Sequence, residues 1–267
     1  MEPSHRSTYL LEGRQITMRF GGLTALNKVD IQIMPGEILG LIGPNGAGKT
    51  TLFNIIAGVY KPDSGTVLFK GMPISGLKPH RICRMGIART YQLVRPFSAL
   101  TALQNVLVGI YFGRGDSEEE RGKGRRGEGA DERKGGRKES TGDAEREALE
   151  LLDFLGLSQK AHLPARTLTM LERKRLEIAR ALATHPQLLL LDEVIAGLNP
   201  MEVAETMSLI RQIRDKGVTL CMIEHIMKVI MELSDRIVVL HYGEKIAEGP
   251  PQEVAHNPSV LAAYLGE

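Results

Sequence analysis

The sequence has few cysteines and no excess of charge of one sign. Its two cysteines, Cys83 and Cys221, lie far apart, in no spacing typical of a metal site. This argues against a disulfide scaffold or a zinc site and is compatible with a reducing cytoplasm. Lys and Arg number 34 against 32 Asp and Glu, so the formal net charge is only +2. The global charge therefore gives no reason to expect a nucleic-acid partner.

Long apolar runs are also missing. No stretch approaches the roughly 18 apolar residues of a membrane span, and residues 1–15 contain no apolar run of signal-peptide length. The longest candidates, around 188–191 and 218–223, have the length of buried strands. If the protein works at a membrane, we expect other chains to anchor it there.

What the sequence does contain is an alternation of short apolar runs with helix-like segments. This pattern predicts an α/β fold with a largely parallel sheet, and an antiparallel β portion around the strand at 38–42. Residues 113–143 are rich in charge and glycine and predict a mobile surface insertion, since they offer almost nothing to a core. The other predicted strands are 66–69, 87–91, 188–191, 218–223 and 237–240. The predicted helices are 50–58, 144–155, 170–183, 201–216 and 225–233, followed by two short helices near Pro251 and Ser259.

The clearest motif is a glycine-rich segment between a predicted strand and a predicted helix. Its glycines let backbone N–H groups turn towards phosphate oxygens, and the helix N-terminus adds positive potential. Lys49 can reach the β and γ phosphates, and the Thr50 hydroxyl can ligate Mg²⁺. The motif therefore predicts nucleotide binding. Its residues are Gly43, Pro44, Asn45, Gly46, Ala47, Gly48, Lys49 and Thr50.

Two carboxylates follow the apolar run at 188–191. The end of this strand lies beside the phosphate-binding loop if the sheet is parallel. Asp192 is predicted to hold Mg²⁺, directly or through water. Glu193 is predicted to act as the general base that polarises the water attacking the γ phosphate. An Asp-Glu pair after an apolar run is weak evidence by itself, but together with the phosphate-binding loop it indicates ATP hydrolysis.

With these motifs the sequence resembles the ABC ATPase family over nearly its whole length outside 113–143. The resemblance implies a single domain spanning 1–267, with a RecA-like P-loop NTPase core, an antiparallel β subdomain and a helical signature subdomain at roughly 93–184. Gln92 is similar to the family's Q-loop glutamine, which contacts Mg²⁺ and the attacking water. His225 resembles the switch histidine that senses the γ phosphate. The further nucleotide contacts that the resemblance implies are Phe20, which resembles the adenine-stacking aromatic, Thr51 and Thr169.

A narrower resemblance is to the ATPases of branched-chain amino-acid importers, a subfamily that also includes urea and amide importers. It implies import of branched-chain or related amino acids, powered from the cytoplasmic face of the cell membrane. The implied partners are a second ABC ATPase, two transmembrane permeases and a solute-binding protein that acts through them. The segments that carry this resemblance are 18–26, 196–200, 243–249 and 261–267.

The family pattern breaks at the signature segment, 168–172. The family reads Leu-Ser-Gly-Gly-Gln there, and this chain reads Leu-Thr-Met-Leu-Glu. Thr169 and Glu172 still form the pattern of a capping box, so a helix N-terminus is expected to survive. In the family each signature contacts the ATP held by the partner subunit. The phosphate-binding loop of this chain is intact. The substitutions in its signature segment predict altered contacts with the ATP held by the partner, and a heterodimer rather than a homodimer.

Three other functions are less compatible with the sequence than transport is. A regulatory subunit that dimerises on ATP without turnover is favoured by the altered signature and opposed by Asp192, Glu193 and His225. Soluble ABC proteins of translation or DNA repair carry two such domains or a long coiled coil, and neither is present. A P-loop kinase would leave 176–182 and 197–199 unexplained, since they resemble the signature helix and the D-loop.

Overall fold

The computed structural model describes residues 8–91, 96–113 and 141–265. They divide into two units. The first comprises residues 8–82, 87–91 and 186–265, and the second comprises 83–86, 96–113 and 141–185. Most of the predicted insertion at 113–143 lies outside the described residues, although Gly113 ends one helix and Thr141 begins the next.

The first unit contains a four-stranded antiparallel sheet with the order β2-β1-β4-β5. Strand β1 pairs with both β2 and β4, and Phe20 faces Leu23 across the tight turn that joins β1 to β2. This sheet is the antiparallel portion that the sequence predicts. The sequence did not predict the full length of the β1–β2 hairpin, in which the two strands pair from end to end. The bounds are β1 (Leu11–Phe20), β2 (Leu23–Ile33), β4 (Ser64–Phe69) and β5 (Met72–Pro73).

The same unit holds a six-stranded sheet with the order β10-β9-β3-β8-β7-β6. It is parallel from β9 to β6, and β10 pairs antiparallel with β9. Strands β3, β7 and β8 are buried at every residue, which is why they read as continuous apolar runs. The predicted largely parallel sheet is thus confirmed. The bounds are β3 (Ile38–Ile42), β6 (Ile87–Arg89), β7 (Leu188–Asp192), β8 (Thr219–Ile223), β9 (Arg236–His241) and β10 (Glu244–Gly249).

Most helices of the first unit follow a strand, and the last one, Pro258–Leu265, follows another helix. The start of the helix at Pro200–Asp215 shows why these residues begin a helix. The Asn199 side chain accepts from the N–H groups of Met201 and Glu202, and the Glu202 carboxylate accepts from the Asn199 N–H. Helix α7 begins two residues later than predicted, so His225 precedes it. The bounds are α1 (Lys49–Ile56), α6 (Pro200–Asp215), α7 (Met227–Leu233), α8 (Pro251–Ala255) and α9 (Pro258–Leu265), with α2 (Pro79–Arg84) running into the second unit.

The second unit is helical. Helix α3 (Ala102–Gly113) packs against α4 (Thr141–Phe154) and α5 (Met170–Leu182). The predicted capping box at α5 is confirmed: Thr169 Oγ1 accepts from the Glu172 N–H at 3.3 Å, and a Glu172 carboxylate oxygen accepts from the Thr169 N–H at 2.9 Å. Within the described ranges, no helix combines the length and the apolar character needed to cross a bilayer.

Candidate functional site

The phosphate-binding loop lies between β3 and α1 and depends on glycine at its first position. Gly43 has a φ of 148°, and a Cβ built there would lie 2.0 Å from the Leu240 carbonyl oxygen. Gly46, with a φ of 78°, faces open space instead, since an added Cβ would meet nothing within 4 Å. The loop is therefore tight against β9 on one side and open on the other. The open side is where a phosphate chain can approach backbone N–H groups.

Lys49 is the first residue of α1 and turns back over this loop. Its side chain is buried, and Nζ donates to the Gly43 and Pro44 carbonyl oxygens at 2.6 and 2.9 Å. Burial lowers the pKa of Lys49, while the negative charges of Glu193 and Asp192 act in the opposite direction. The ammonium is thus close enough to both carboxylates to interact with them. Thr50 is exposed and Thr51 is partly exposed in the first turn of the same helix.

Residues from late in the sequence brace the loop. The Gly243 N–H, in the turn between β9 and β10, donates to the Ala47 carbonyl oxygen at 3.1 Å. Burial raises the pKa of Tyr264 on α9, while the nearby backbone of Gly43 acts in the opposite direction, so the end of the chain lies close to the start of the loop. These contacts were not predicted, because nothing in the local sequence around 43–50 announces them.

Asp192 ends β7 and is almost wholly buried. Its Oδ2 lies 2.7 Å from Nη2 of Arg89, which ends the neighbouring strand β6. The Asp192 N–H donates to Thr90 Oγ1 at 3.1 Å, so the backbone at this strand end is fixed as well. The sequence predicts the place of Asp192 but does not mark Arg89 or Thr90. Their position at the end of a strand parallel to β7 is the signal that could have found them.

Glu193 follows directly and pairs with His225. Glu193 Oε1 lies 2.8 Å from His225 Nε2, and the two side chains come from the loops after β7 and β8. The Glu193 backbone has a φ of 52°, in the left-handed region that non-glycine residues seldom adopt. Its N–H donates to the Ile223 carbonyl oxygen at 2.9 Å, which anchors this conformation. The predicted base and the predicted switch histidine are therefore in direct contact.

Phe20 lies at the end of β1 in the antiparallel sheet. Its side chain is 42% exposed, and its ring packs edge-to-face on Tyr60, with centroids 5.4 Å apart. The Arg19 N–H donates to Asp63 Oδ2 at 2.7 Å, so the turn that carries Phe20 is tied to the loop containing Tyr60 and Asp63. An exposed, braced aromatic ring is free on one face to stack on a planar group.

Two further predicted site residues are not among the described residues of the first unit. Gln92 lies outside the described residues. Thr169 belongs to the second unit, where it caps α5. The first unit brings together Lys49, Asp192, Glu193 and His225, with the loop glycines and Thr50 beside Lys49. This set offers a cation and backbone donors for phosphate, oxygen ligands for a hard metal ion, and a carboxylate paired with an imidazole.

Comparison with protein families gave two matches. The family model described as "ABC transporter" matches residues 26–196. A second model, described as "Branched-chain amino acid ATP-binding cassette transporter", matches residues 244–267. The first match includes the phosphate-binding loop and both carboxylates, and the second includes β10 and Tyr264.

Similar proteins cover almost the full chain. The high-affinity branched-chain amino acid transport ATP-binding protein LivG of Escherichia coli K12 is 41% identical, with 97% of this chain and 98% of LivG aligned. BraF of Pseudomonas aeruginosa, which has the same description, is 40% identical over the same shares. Among solved structures, an ATP-binding cassette of an ABC transporter in its ADP conformation has a TM-score of 0.81 and 32% identity, covering 98% of this chain and 100% of that one.

Proposed function

We infer the function of this chain from the family to which it belongs, the ATP-binding cassettes of ABC transporters: it is an ATPase subunit that powers transport. Such a subunit does not contact the solute, so the chemistry that this chain carries out is the binding and hydrolysis of ATP. The observation that carries the proposal is the 2.8 Å contact between Glu193 and His225 beside Lys49 and Asp192.

ATP binding is proposed to use the loop from Gly43 to Gly48, with Lys49 on the β and γ phosphates and Thr51 nearby. Lys49 Nζ already donates to two loop carbonyl oxygens, and phosphate oxygens can take their place. Phe20 stacks on adenine. Mg²⁺ fits the oxygen ligands present, since it favours one or two carboxylates together with phosphate oxygens. Thr50 and Asp192 would hold it, together with Gln92, and it would supply charge stabilisation to the transferring phosphoryl group.

Hydrolysis is proposed to depend on Glu193 as the general base for the attacking water. His225 orients the Glu193 carboxylate and senses the γ phosphate through the same contact. The left-handed backbone of Glu193 supports this role, because strained φ values cluster at functional sites.

The partner ATPase is proposed to be a different protein, so that the pair is asymmetric. The signature segment of this chain has lost both glycines, and the Met170 side chain is 58% exposed where the family has a glycine. The Glu172 carboxylate is hydrogen-bonded back to Thr169, at the N-terminus of α5. This chain would hydrolyse ATP when the partner supplies a complete signature, while Thr169 alone would face the ATP held by the partner.

The assembly is proposed to import branched-chain or related amino acids. This cargo is supported by the match at 244–267 and by LivG and BraF, which are both branched-chain amino acid transport ATP-binding proteins. We further propose two permeases, a solute-binding protein acting through them, and attachment at the cytoplasmic face of the membrane. The two units would belong to one ABC ATPase domain, with a helical subdomain at roughly 93–184.

The test is ATP turnover by the purified chain, alone and with the genomically adjacent ATPase, in the presence and absence of the permeases. Turnover that appears in the mixture and is lost with Glu193→Gln in this chain supports an asymmetric motor. Equal hydrolysis at both sites of the reconstituted complex would contradict the asymmetry. ATP binding without Glu193-dependent turnover, even with the permeases, would instead identify a regulatory subunit.

A further inference from the structure

A buried cation lies against the carboxylate proposed to hold Mg²⁺. The side chains of Arg89 and Asp192 are only 5% and 4% exposed, and Nη2 lies 2.7 Å from Oδ2. The two residues end neighbouring parallel strands, β6 and β7. A charge-assisted contact of this length in a place so shielded from water is strong, and it fixes the geometry of both groups.

Arg89 is itself held from several sides. Its Nη1 donates to Asn54 Oδ1 at 2.6 Å, which ties it to α1, the helix that follows the phosphate-binding loop. Its guanidinium also lies 5.6 Å from the ring centroid of Phe53 and 5.0 Å from that of Tyr91. The guanidinium is therefore a fixed bridge between α1 and the end of β7.

The bridge engages only one oxygen of the carboxylate. Arg89 contacts Oδ2, and within the described part of the chain Oδ1 has no hydrogen-bond partner. A carboxylate bound in this way keeps one oxygen for a metal ion or its water. Removing a group that hydrogen-bonds to a metal ligand typically lowers the metal affinity by about 10–100-fold.

Resting on the proposed function, we propose that Arg89 is a positioning residue that sets the affinity of the ATP site for Mg²⁺. It holds Asp192 so that Oδ1 is presented to the metal, and Asn54 holds Arg89 in turn. Loss of Arg89 removes the charged group that Oδ2 contacts, so the buried Asp192 carboxylate must rotate or repack to be tolerated. Each of these responses removes the oriented oxygen.

The experiment measures Mn²⁺ binding by electron paramagnetic resonance, with the full-length chain saturated with a non-hydrolysable ATP analogue. Arg89→Met is expected to weaken Mn²⁺ binding by about tenfold or more. The affinity for the analogue in EDTA should stay unchanged. Arg89→Lys keeps a charge but has no planar fork, so it should restore part of the Mn²⁺ affinity. Asn54→Ala should weaken Mn²⁺ binding by a smaller factor, about two- to fivefold.

A matched control is Arg236→Met. Arg236 is another part-buried arginine of the first unit, with Nη2 2.7 Å from Glu37 Oε1, and it ends no strand beside the loop carboxylates. Its loss should leave Mn²⁺ affinity unchanged. If Arg236→Met weakens Mn²⁺ binding as much as Arg89→Met, the effect is general destabilisation and the inference is wrong.

Asp192→Ala separates this inference from the proposed function. If it weakens Mn²⁺ binding and Arg89→Met does not, the positioning role is refuted and the proposed metal site stands. If Asp192→Ala has no effect, the proposed metal site itself fails. If Arg89→Met does not fold, Asn54→Ala decides, and unchanged Mn²⁺ affinity in that variant refutes the inference.

Discussion

The left-handed backbone at Glu193 predicts an unusual order of stabilities among its variants. With a φ of 52°, any residue that has a Cβ is strained there, by about 1–2 kcal/mol. Glycine removes this strain but has more freedom in the unfolded chain, which costs about 0.5–1 kcal/mol. We therefore expect Glu193→Gly to be more stable than Glu193→Ala by about 0.5–1 kcal/mol.

Both variants lose the same contact with His225, so the difference between their free energies of unfolding reports the backbone conformation at position 193 alone. The assay is urea unfolding without nucleotide, followed by far-UV circular dichroism, with the free energies of unfolding compared. Ala204 serves as the control, because it is exposed in the interior of α6. There the order must reverse, and Ala204→Gly should lower stability by about 1 kcal/mol. An alanine variant at 193 as stable as the glycine variant would refute the reasoning.

Three other predictions follow from the described contacts. Gly43→Ala puts a Cβ against the Leu240 carbonyl oxygen. This variant should therefore lower the free energy of unfolding by about 1–3 kcal/mol and weaken binding of a fluorescent ATP analogue. Wild-type values of both quantities would contradict the prediction. Thr169→Ala removes the cap of α5 and should cost about 1 kcal/mol in urea unfolding, and no loss would contradict the capping role. Burial raises the pKa of Cys221. Iodoacetamide should therefore modify this thiol only after denaturation, with the modification measured by mass spectrometry. Rapid labelling of the folded chain would contradict the prediction.

The predictable parts of the site are those whose residues are close together in the sequence. The phosphate-binding loop and the Asp192-Glu193 pair each lie within a few consecutive residues, next to an apolar strand that marks the context. The α/β P-loop fold that follows from them is confirmed by the match to solved cassettes. The capping box of α5 was predictable for the same reason, since Thr169 and Glu172 are three residues apart.

Contacts between distant segments were not predictable. The Arg89–Asp192 pair joins residues 103 positions apart, so no local pattern marks it, and only the order of the parallel strands would have placed Arg89 beside Asp192. The length of the β1–β2 hairpin was underestimated because register shifts between Gly13 and Arg19 interrupt the two-residue alternation. Helix α3 was not predicted either. Its valines, isoleucine and internal Gly109 are poor helix formers by themselves, and packing on α4 and α5 stabilises it instead.

The strand order of the six-stranded sheet has a consequence for synthesis of the chain. Strand β3 is made early, yet its neighbours are β8 and β9, with Ile38 beside Leu220 and Leu39 beside Arg236. At typical elongation rates of about 5–20 residues per second, an apolar strand waits roughly 10–40 s on the ribosome for its partners. Meanwhile the antiparallel sheet of β1, β2, β4 and β5 can form, because all four strands lie within residues 11–73. The nascent chain therefore carries an unpaired apolar strand, and a phosphate-binding loop without its brace, until nearly all of it has been translated.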